Sequence, residues 1–325
     1  MARRAMLALR DWGVCFALQM VLCAIQSTSL EACGQAARWL AFLFSDVLRI
    51  RRQTVEANLK IAFPEMGPAE RQRLRRRMWE HLVLMVCEIA HAPRKLHETN
   101  WRKHIAIEGR REIVTYLLDR RPTVIVSGHF GNFEVGGYLI GLLGFPTYSI
   151  ARTLDNRQLE QMIKDFRERK GQFIVPKDGS GTLVAQILER GDKVALLADH
   201  HAGPKGCWVD FLGQPTSCHK AVALFTLSSG APMLSISNAR GDRPMSFRVR
   251  LEGLADPVDL ANELASVPSL TRWYNQALEN AIRRSPDQYW WLHRRWRGEP
   301  PRRRSAENRS SATPPAPVAT ERPGI

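Results

Sequence analysis

Of the 325 residues only six are cysteines (15, 23, 33, 87, 207 and 218), and no two form a C-x-x-C pair or a framework spacing. That scatter excludes a disulfide-stapled scaffold and fits a reducing, cytoplasmic setting. The segment Met20-Val-Leu-Cys23 lacks the small residues that precede a lipidated cysteine, and no A-x-A cleavage site follows the apolar N-terminus. No helix-turn-helix pattern, zinc finger or aromatic-basic RNA signature is present, so nucleic acid is not an expected partner. A G-x-S-x-G elbow is also missing, which argues against a serine-hydrolase route through an acyl-enzyme. Acidic residues are scarce beside basic ones, 32 against 47, giving a net charge of +15. An excess of that size points to anionic partners such as phospholipid head groups or an acidic carrier protein.

What is present begins with Arg3, Arg4 and Arg10, ahead of an apolar run from Trp12 to Ile25 broken only by Gly13 and Gln19. As a helix, this run would cover roughly 21 Å, short of the roughly 30 Å hydrocarbon core. A signal peptide, a marginal transmembrane helix and an interfacial helix all remain open from the residues alone. Residues 30 to 63 read as continuing helix, with Trp39, Leu40, Phe42, Leu43, Val47 and Leu48 at spacings of three and four. Pro64 and Gly67-Pro68 end it, and Ala69 to Ala90 reads as a second long helix. Arg71, Arg73, Arg75, Arg76 and Arg77 crowd the first half of that helix, as either a solvated face or a surface for anionic lipid or carrier protein.

From Thr123 onward, short apolar runs alternate with helical segments. Strands are predicted at 123–126, 148–151, 172–175, 193–198, 233–237 and 247–251. Helices are predicted at 133–143, 156–170, 181–190, 219–229 and 270–284. The pattern predicts an α/β fold with a mostly parallel central sheet flanked by helices, and an active corner at the carboxyl edge of the strands.

The stretch Val124-Ile-Val-Ser-Gly-His129-Phe-Gly-Asn-Phe-Glu134 carries the chemistry. A buried strand stops at the small pair Ser127-Gly128, which leaves His129 at a strand end. Asn132 is a helix N-cap, which puts Glu134 in a first turn where the helix dipole favours a carboxylate. The two side chains can face each other across the glycine corner as a general base and its orienting partner. Alternatively, His129 is a satisfied core histidine and Glu134 a solvated charge. His200, His201, Cys207, Cys218 and His219 have zinc-ligand chemistry, but their spacing fits no familiar structural site.

The same stretch resembles the signature of the bacterial lipid A biosynthesis acyltransferases, the late lauroyl and myristoyl transferases of the lysophospholipid acyltransferase superfamily. Arg52-Gln-Thr-Val-Glu-Ala-Asn58-Leu-Lys-Ile-Ala-Phe-Pro64 is similar to the family's R-x-x-x-x-x-N-L-x-x-A-F-P segment. Arg152-Thr-Leu-Asp-Asn156, Arg167-Glu-Arg169-Lys-Gly171, Leu197-Ala-Asp199-His200, Val209-Asp-Phe-Leu-Gly213 and Gln288-Tyr-Trp-Trp-Leu-His293-Arg294-Arg295 follow in family order. Where the family often has Asp-Gln, this chain has Asp199-His200, a departure in the local hydrogen bonding.

The resemblance implies a membrane-bound acyltransferase that moves a fatty acyl chain from acyl-carrier protein, or acyl-CoA, to a hydroxyl of a lipid A precursor. His129 and Glu134 would be its catalytic residues, and Arg152, Arg167, Asp199 and Asn132 would serve substrate or oxyanion, with Arg169 a weaker candidate. It implies no cofactor and no metal. It also implies an uncleaved N-terminal anchor (1–45) at the bacterial inner membrane, the acyltransferase domain (46–298) on the cytoplasmic side, and a Pro/Arg/Ser-rich disordered tail (299–325). Two rival functions stay open: transfer to another glycolipid or lysophospholipid, and a catalytically silent lipid-binding protein.

Overall fold

The structure is a computed structural model and describes residues 2–177, 179–259 and 262–301. The expected tail therefore lies almost wholly outside the described residues. Four helices come first: α1 (Ala2–Gln26), α2 (Leu30–Phe42), α3 (Arg52–Ala62) and α4 (Pro68–Lys95). Alternating elements follow: β1 (Ile105–Glu108), α5 (Arg110–Leu118), β2 (Thr123–Ser127), α6 (Phe133–Leu142), β3 (Thr147–Ala151), α7 (Arg157–Glu168), β4 (Gln172–Pro176), α8 (Ser180–Glu189) and β5 (Lys193–Leu197). A hairpin of β6 (Cys207–Phe211) and β7 (Gln214–Cys218), then α9 (Lys220–Ser229), β8 (Met233–Arg240), β9 (Phe247–Ala255) and α10 (Val267–Arg284), complete the fold.

The main sheet has seven strands in the order β1-β9-β8-β2-β5-β3-β4. Strands β8, β2, β5, β3 and β4 run parallel, whereas β9 is antiparallel to β8 and carries β1 parallel to itself. The strand period of two sorts the β2 side chains. Val124 and Val126 pack with Val184, Ile187, Val194 and Tyr274 on one face, while Ile125 packs with Ile113 and Leu117 on the other. Each such fully buried side chain contributes about 1.5–3 kcal/mol relative to exposure. This explains why β2, covered on both faces, reads as an unbroken apolar run.

Residues 30 to 63 are not one continuing helix. The chain leaves α2 through a π-helical turn at Leu43–Val47, and Arg49 and Arg51 adopt left-handed φ values of 52° and 53° before α3 begins. The bend is held by α4: Arg75 Nε donates to Ser45 Oγ at 3.1 Å and Arg76 Nε to Asp46 Oδ2 at 3.0 Å. Arg71, also on α4, donates to Glu56 of α3 at 2.6 Å. The arginine-rich half of α4 is thus divided, with Arg71 and Arg75 buried as helix fasteners and Arg73, Arg76 and Arg77 exposed. No described helix is long and apolar enough to cross a membrane.

Candidate active site

The corner is built by two adjacent strand ends. In the β2–β5 register Ser127 sits opposite Leu197, and Ala198 N–H donates to Ser127 O at 2.8 Å, so the ladder continues to the point where both chains leave the sheet. One residue further on β5, Asp199 turns its carboxylate towards β2. Its Oδ2 accepts the His129 backbone N–H at 2.9 Å and its Oδ1 meets His129 Nδ1 at 2.8 Å. Gly128 makes the approach possible: a Cβ there would stand 2.7 Å from Leu278 and 3.2 Å from the Asp199 carboxyl carbon. Gly131 has φ +60°, and a Cβ on it would collide with Asn238 O at 1.8 Å.

The C-terminal segment stitches the corner from outside. Gly131 N–H donates to Gln288 O at 2.9 Å, and Trp290 N–H donates to His129 O at 3.0 Å. The Trp290 and Phe133 rings flank the His129 imidazole edge-on, with centroids at 5.9 Å and 5.0 Å.

Electrostatics polarise the pair. Burial opposes ionisation of Asp199, but the attraction of His129 and two hydrogen bonds from it win, and the carboxyl is held far below the usual range. Burial likewise pulls the His129 pKa down, yet Asp199 and, more weakly, Glu134 raise it above its ordinary value. With Nδ1 committed to Asp199, His129 presents Nε2 as the free ring nitrogen.

The partner expected for His129 was Glu134, and the structure corrects this. Glu134 forms a bidentate pair with Arg167 instead, Nε to Oε2 at 3.0 Å and Nη2 to Oε1 at 2.5 Å. The first-turn position on α6 points the carboxylate along that helix towards α7, whereas the strand neighbour, β5, delivers Asp199 to the imidazole. Arg167 is largely buried, and although burial alone would lower its pKa, Glu134 raises it.

Asn132 and Asp199, expected against substrate, are both fully buried. The Asn132 side chain caps α6 by accepting from Val135 N at 3.2 Å and donates to Glu88 Oε2 at 2.9 Å, so its hydrogen-bonding groups are spent internally. Arg152 and Arg169 line the cavity beside Arg167, and Arg152 is exposed with no ion pair among the described residues.

Two further imidazoles join the site. His200 stacks parallel on His129 at 4.4 Å, and its Nε2 lies 2.9 Å from His293 Nε2. Burial and the neighbouring His129 lower both pKa values, that of His293 to about 4. Both residues sit in the family-like segments, but neither spacing nor composition marks them, because they lie 93 residues apart in sequence. The five-residue zinc-like set from the sequence does not assemble as a group; His200 turns instead to His129 and His293.

All of this opens onto a cavity of about 1100 Å³. Its walls are predominantly apolar, drawn from the sheet (Ile125, Ala195, Ile236), from α6 (Leu139, Ile140) and from Leu18 and Leu22 of α1. The polar minority of its lining includes His129, Glu134, Arg152 and Arg167, an arrangement suited to holding an apolar chain with a reactive polar end.

Residues 2–298 match the model of the family described as Bacterial lipid A biosynthesis acyltransferase. The chain is 24% identical over 300 residues to the Lipid A biosynthesis palmitoleoyltransferase of Escherichia coli K12, covering 90% of this chain and 93% of that protein. The Lipid A biosynthesis lauroyltransferase of the same organism is also 24% identical, over 275 residues that cover 82% and 84%. A shorter match, 28% over 116 residues, is to the Phosphatidylinositol mannoside acyltransferase of Mycobacterium tuberculosis H37Rv, covering 34% of this chain and 36% of that one. With a family match spanning nearly its whole length, the chain belongs to the bacterial lipid A biosynthesis acyltransferases and is an O-acyltransferase.

Proposed function

We propose that the protein transfers a fatty acyl group from a thioester donor, acyl-carrier protein or else acyl-CoA, to a hydroxyl of a lipid A precursor. The observation that carries this reading is the His129–Asp199 pair, bonded at 2.8 Å, whose imidazole lines a predominantly apolar cavity of about 1100 Å³. His129 Nε2 takes the proton of the acceptor hydroxyl as its oxygen bonds to the thioester carbonyl carbon. The tetrahedral oxyanion collapses, the C–S bond breaks, and the imidazolium returns its proton to the departing thiolate. Asp199 fixes the tautomer that leaves Nε2 free and stabilises the imidazolium while it lasts. No acyl-enzyme is required, and neither is a cofactor.

The Glu134–Arg167 pair fixes the wall beside the base, and exposed Arg152 is left to meet an anionic group of the acceptor, donor or oxyanion. The basic surface suits an acidic carrier protein and the phosphates of the acceptor. Docking to the bilayer falls to the N-terminal helices, where Trp12, Phe16 and Met20 of α1 and Trp39 and Phe42 of α2 are exposed. We assign α1 an interfacial position on the inner membrane, with the catalytic corner on the cytoplasmic side.

The test is an assay of purified full-length protein with acyl-carrier-protein donors of several chain lengths and lipid A precursors. Product carrying one added acyl chain, absent with His129→Ala, supports the reading; transfer undiminished by that substitution rejects it. A second reading, acylation of another glycolipid, is favoured by the partial match to the mannoside acyltransferase. Lipid A left unaltered in mass in a deletion strain would favour it. Lipid binding without transfer from any donor would favour a catalytically silent protein.

A further inference from the structure

We propose that His129, His200 and His293 form a site for a divalent zinc-type transition-metal ion whose binding takes the His129 lone pair and stops acyl transfer. The inhibitory half rests on His129 being the base; the binding half stands on geometry alone. Each of the three residues can offer a ring nitrogen, and these nitrogens lie within 4.8 Å of one another. His200 Nε2 and His293 Nε2 are already 2.9 Å apart. A tetrahedral zinc ion, with bonds of about 2.0–2.1 Å, spaces its nitrogens at roughly 3.4 Å, so the set is completed by a turn of the His200 ring out of its stack on His129.

The rings are placed for such a turn. His293 stands edge-on to both others, at 70° to His129 and 74° to His200, while His200 lies nearly parallel to His129, at 4°. His200 is the exposed member and is therefore the ring that turns its lone pair towards an arriving ion. Behind His129, Asp199 accepts from Nδ1 and aims Nε2 outward, the carboxylate–imidazole–metal arrangement that orients ligands in metal centres. Three imidazoles without a carboxylate ligand or thiolate favour zinc-type ions over magnesium or calcium, and the fourth position is left to water. Once bound, Nε2 has no lone pair with which to accept a hydroxyl proton.

The experiment uses full-length protein in detergent, stripped with chelator and titrated with Zn²⁺, or with Co²⁺ as a spectroscopic stand-in. One equivalent should bind, the Co²⁺ form showing the visible bands of a tetrahedral ion. His200→Gln and His293→Gln should each weaken binding about tenfold or more, and Asp199→Asn about 10- to 100-fold. Zn²⁺ should inhibit transfer reversibly, with chelator restoring it, and the inhibiting concentration should rise about tenfold in His200→Gln. Thermal melts of each variant check the fold, and His200, being exposed, is the safest replacement. Affinity unchanged in both His200→Gln and His293→Gln overturns the site. Binding lost in these variants but without inhibition of the wild type overturns the inhibitory half. Full metal-free activity of His129→Ala, by contrast, removes the base assignment and leaves the binding result intact.

Discussion

The catalytic corner and the N-terminal helices solve opposite problems. At the corner, the charged side chains that are enclosed are tied: Asp199 is fully buried with two bonds from His129, and Glu134 and Arg167 neutralise each other. On α1 and α2, large apolar side chains face outward, with Trp39 76% and Trp12 55% exposed. Buried charge survives only when it is paired, whereas exposed apolar area is tolerable only when something apolar covers it. The first region therefore reads as chemistry and the second as a docking surface, and substitutions should separate them.

The largest effect should come from His129→Ala, with transfer falling about 10²- to 10⁴-fold while circular dichroism stays unchanged. Asp199→Asn should come next, at about 10²-fold or more, and its pH profile is diagnostic. In the wild type, Asp199 raises the His129 pKa, so activity should rise with pH through a limb lying above the ordinary histidine value of about 6.5. Without that carboxylate, burial is opposed only by the weaker pull of Glu134, and the limb should move to lower pH; a limb that stays in place would separate Asp199 from the base.

Arg167→Ala leaves Glu134 half-enclosed without a counter-charge, and a loss of about 1–3 kcal/mol is expected in chemical denaturation. The double replacement Arg167→Met with Glu134→Leu should recover much of this, since no orphan charge remains. Smallest of all, Trp39→Ser should shift stability by no more than about 0.5 kcal/mol and leave activity in detergent intact. Its effect should appear as weaker flotation with anionic vesicles, and equal flotation would remove α2 from the docking face.

The sheet was legible because β2 is a short β-branched run buried on both faces, and β5 beside it is a short apolar run with Val194 and Leu196 buried; such runs announce themselves without partners. Strand β1 and the β6–β7 hairpin were missed. Ile105–Glu108 is a four-residue outer strand, and the hairpin turns through Leu212 and Gly213, at φ 50° and 80°, within a stretch noted only for its resemblance to a family segment. The helical break at 43–51 also escaped, because its cause lies in arginines of α4 some 30 residues away.

At the site, His129 and Asp199 were both named, yet the partner of the base was misassigned. Glu134 is near in sequence, whereas Asp199 is 70 residues distant and becomes a neighbour only through strand order. His293 is further still, and it reaches the imidazole through the pairing of Trp290 with His129 O.

That last pairing has a consequence for synthesis. The backbone of the corner is fastened by Gln288 and Trp290, about 160 positions after the histidine they support. A nascent chain on the ribosome therefore holds all of β2 and β5 long before it can clamp the loop between strand and helix. Catalytic competence should switch on late in translation, once the segment through Trp290 has emerged from the exit tunnel.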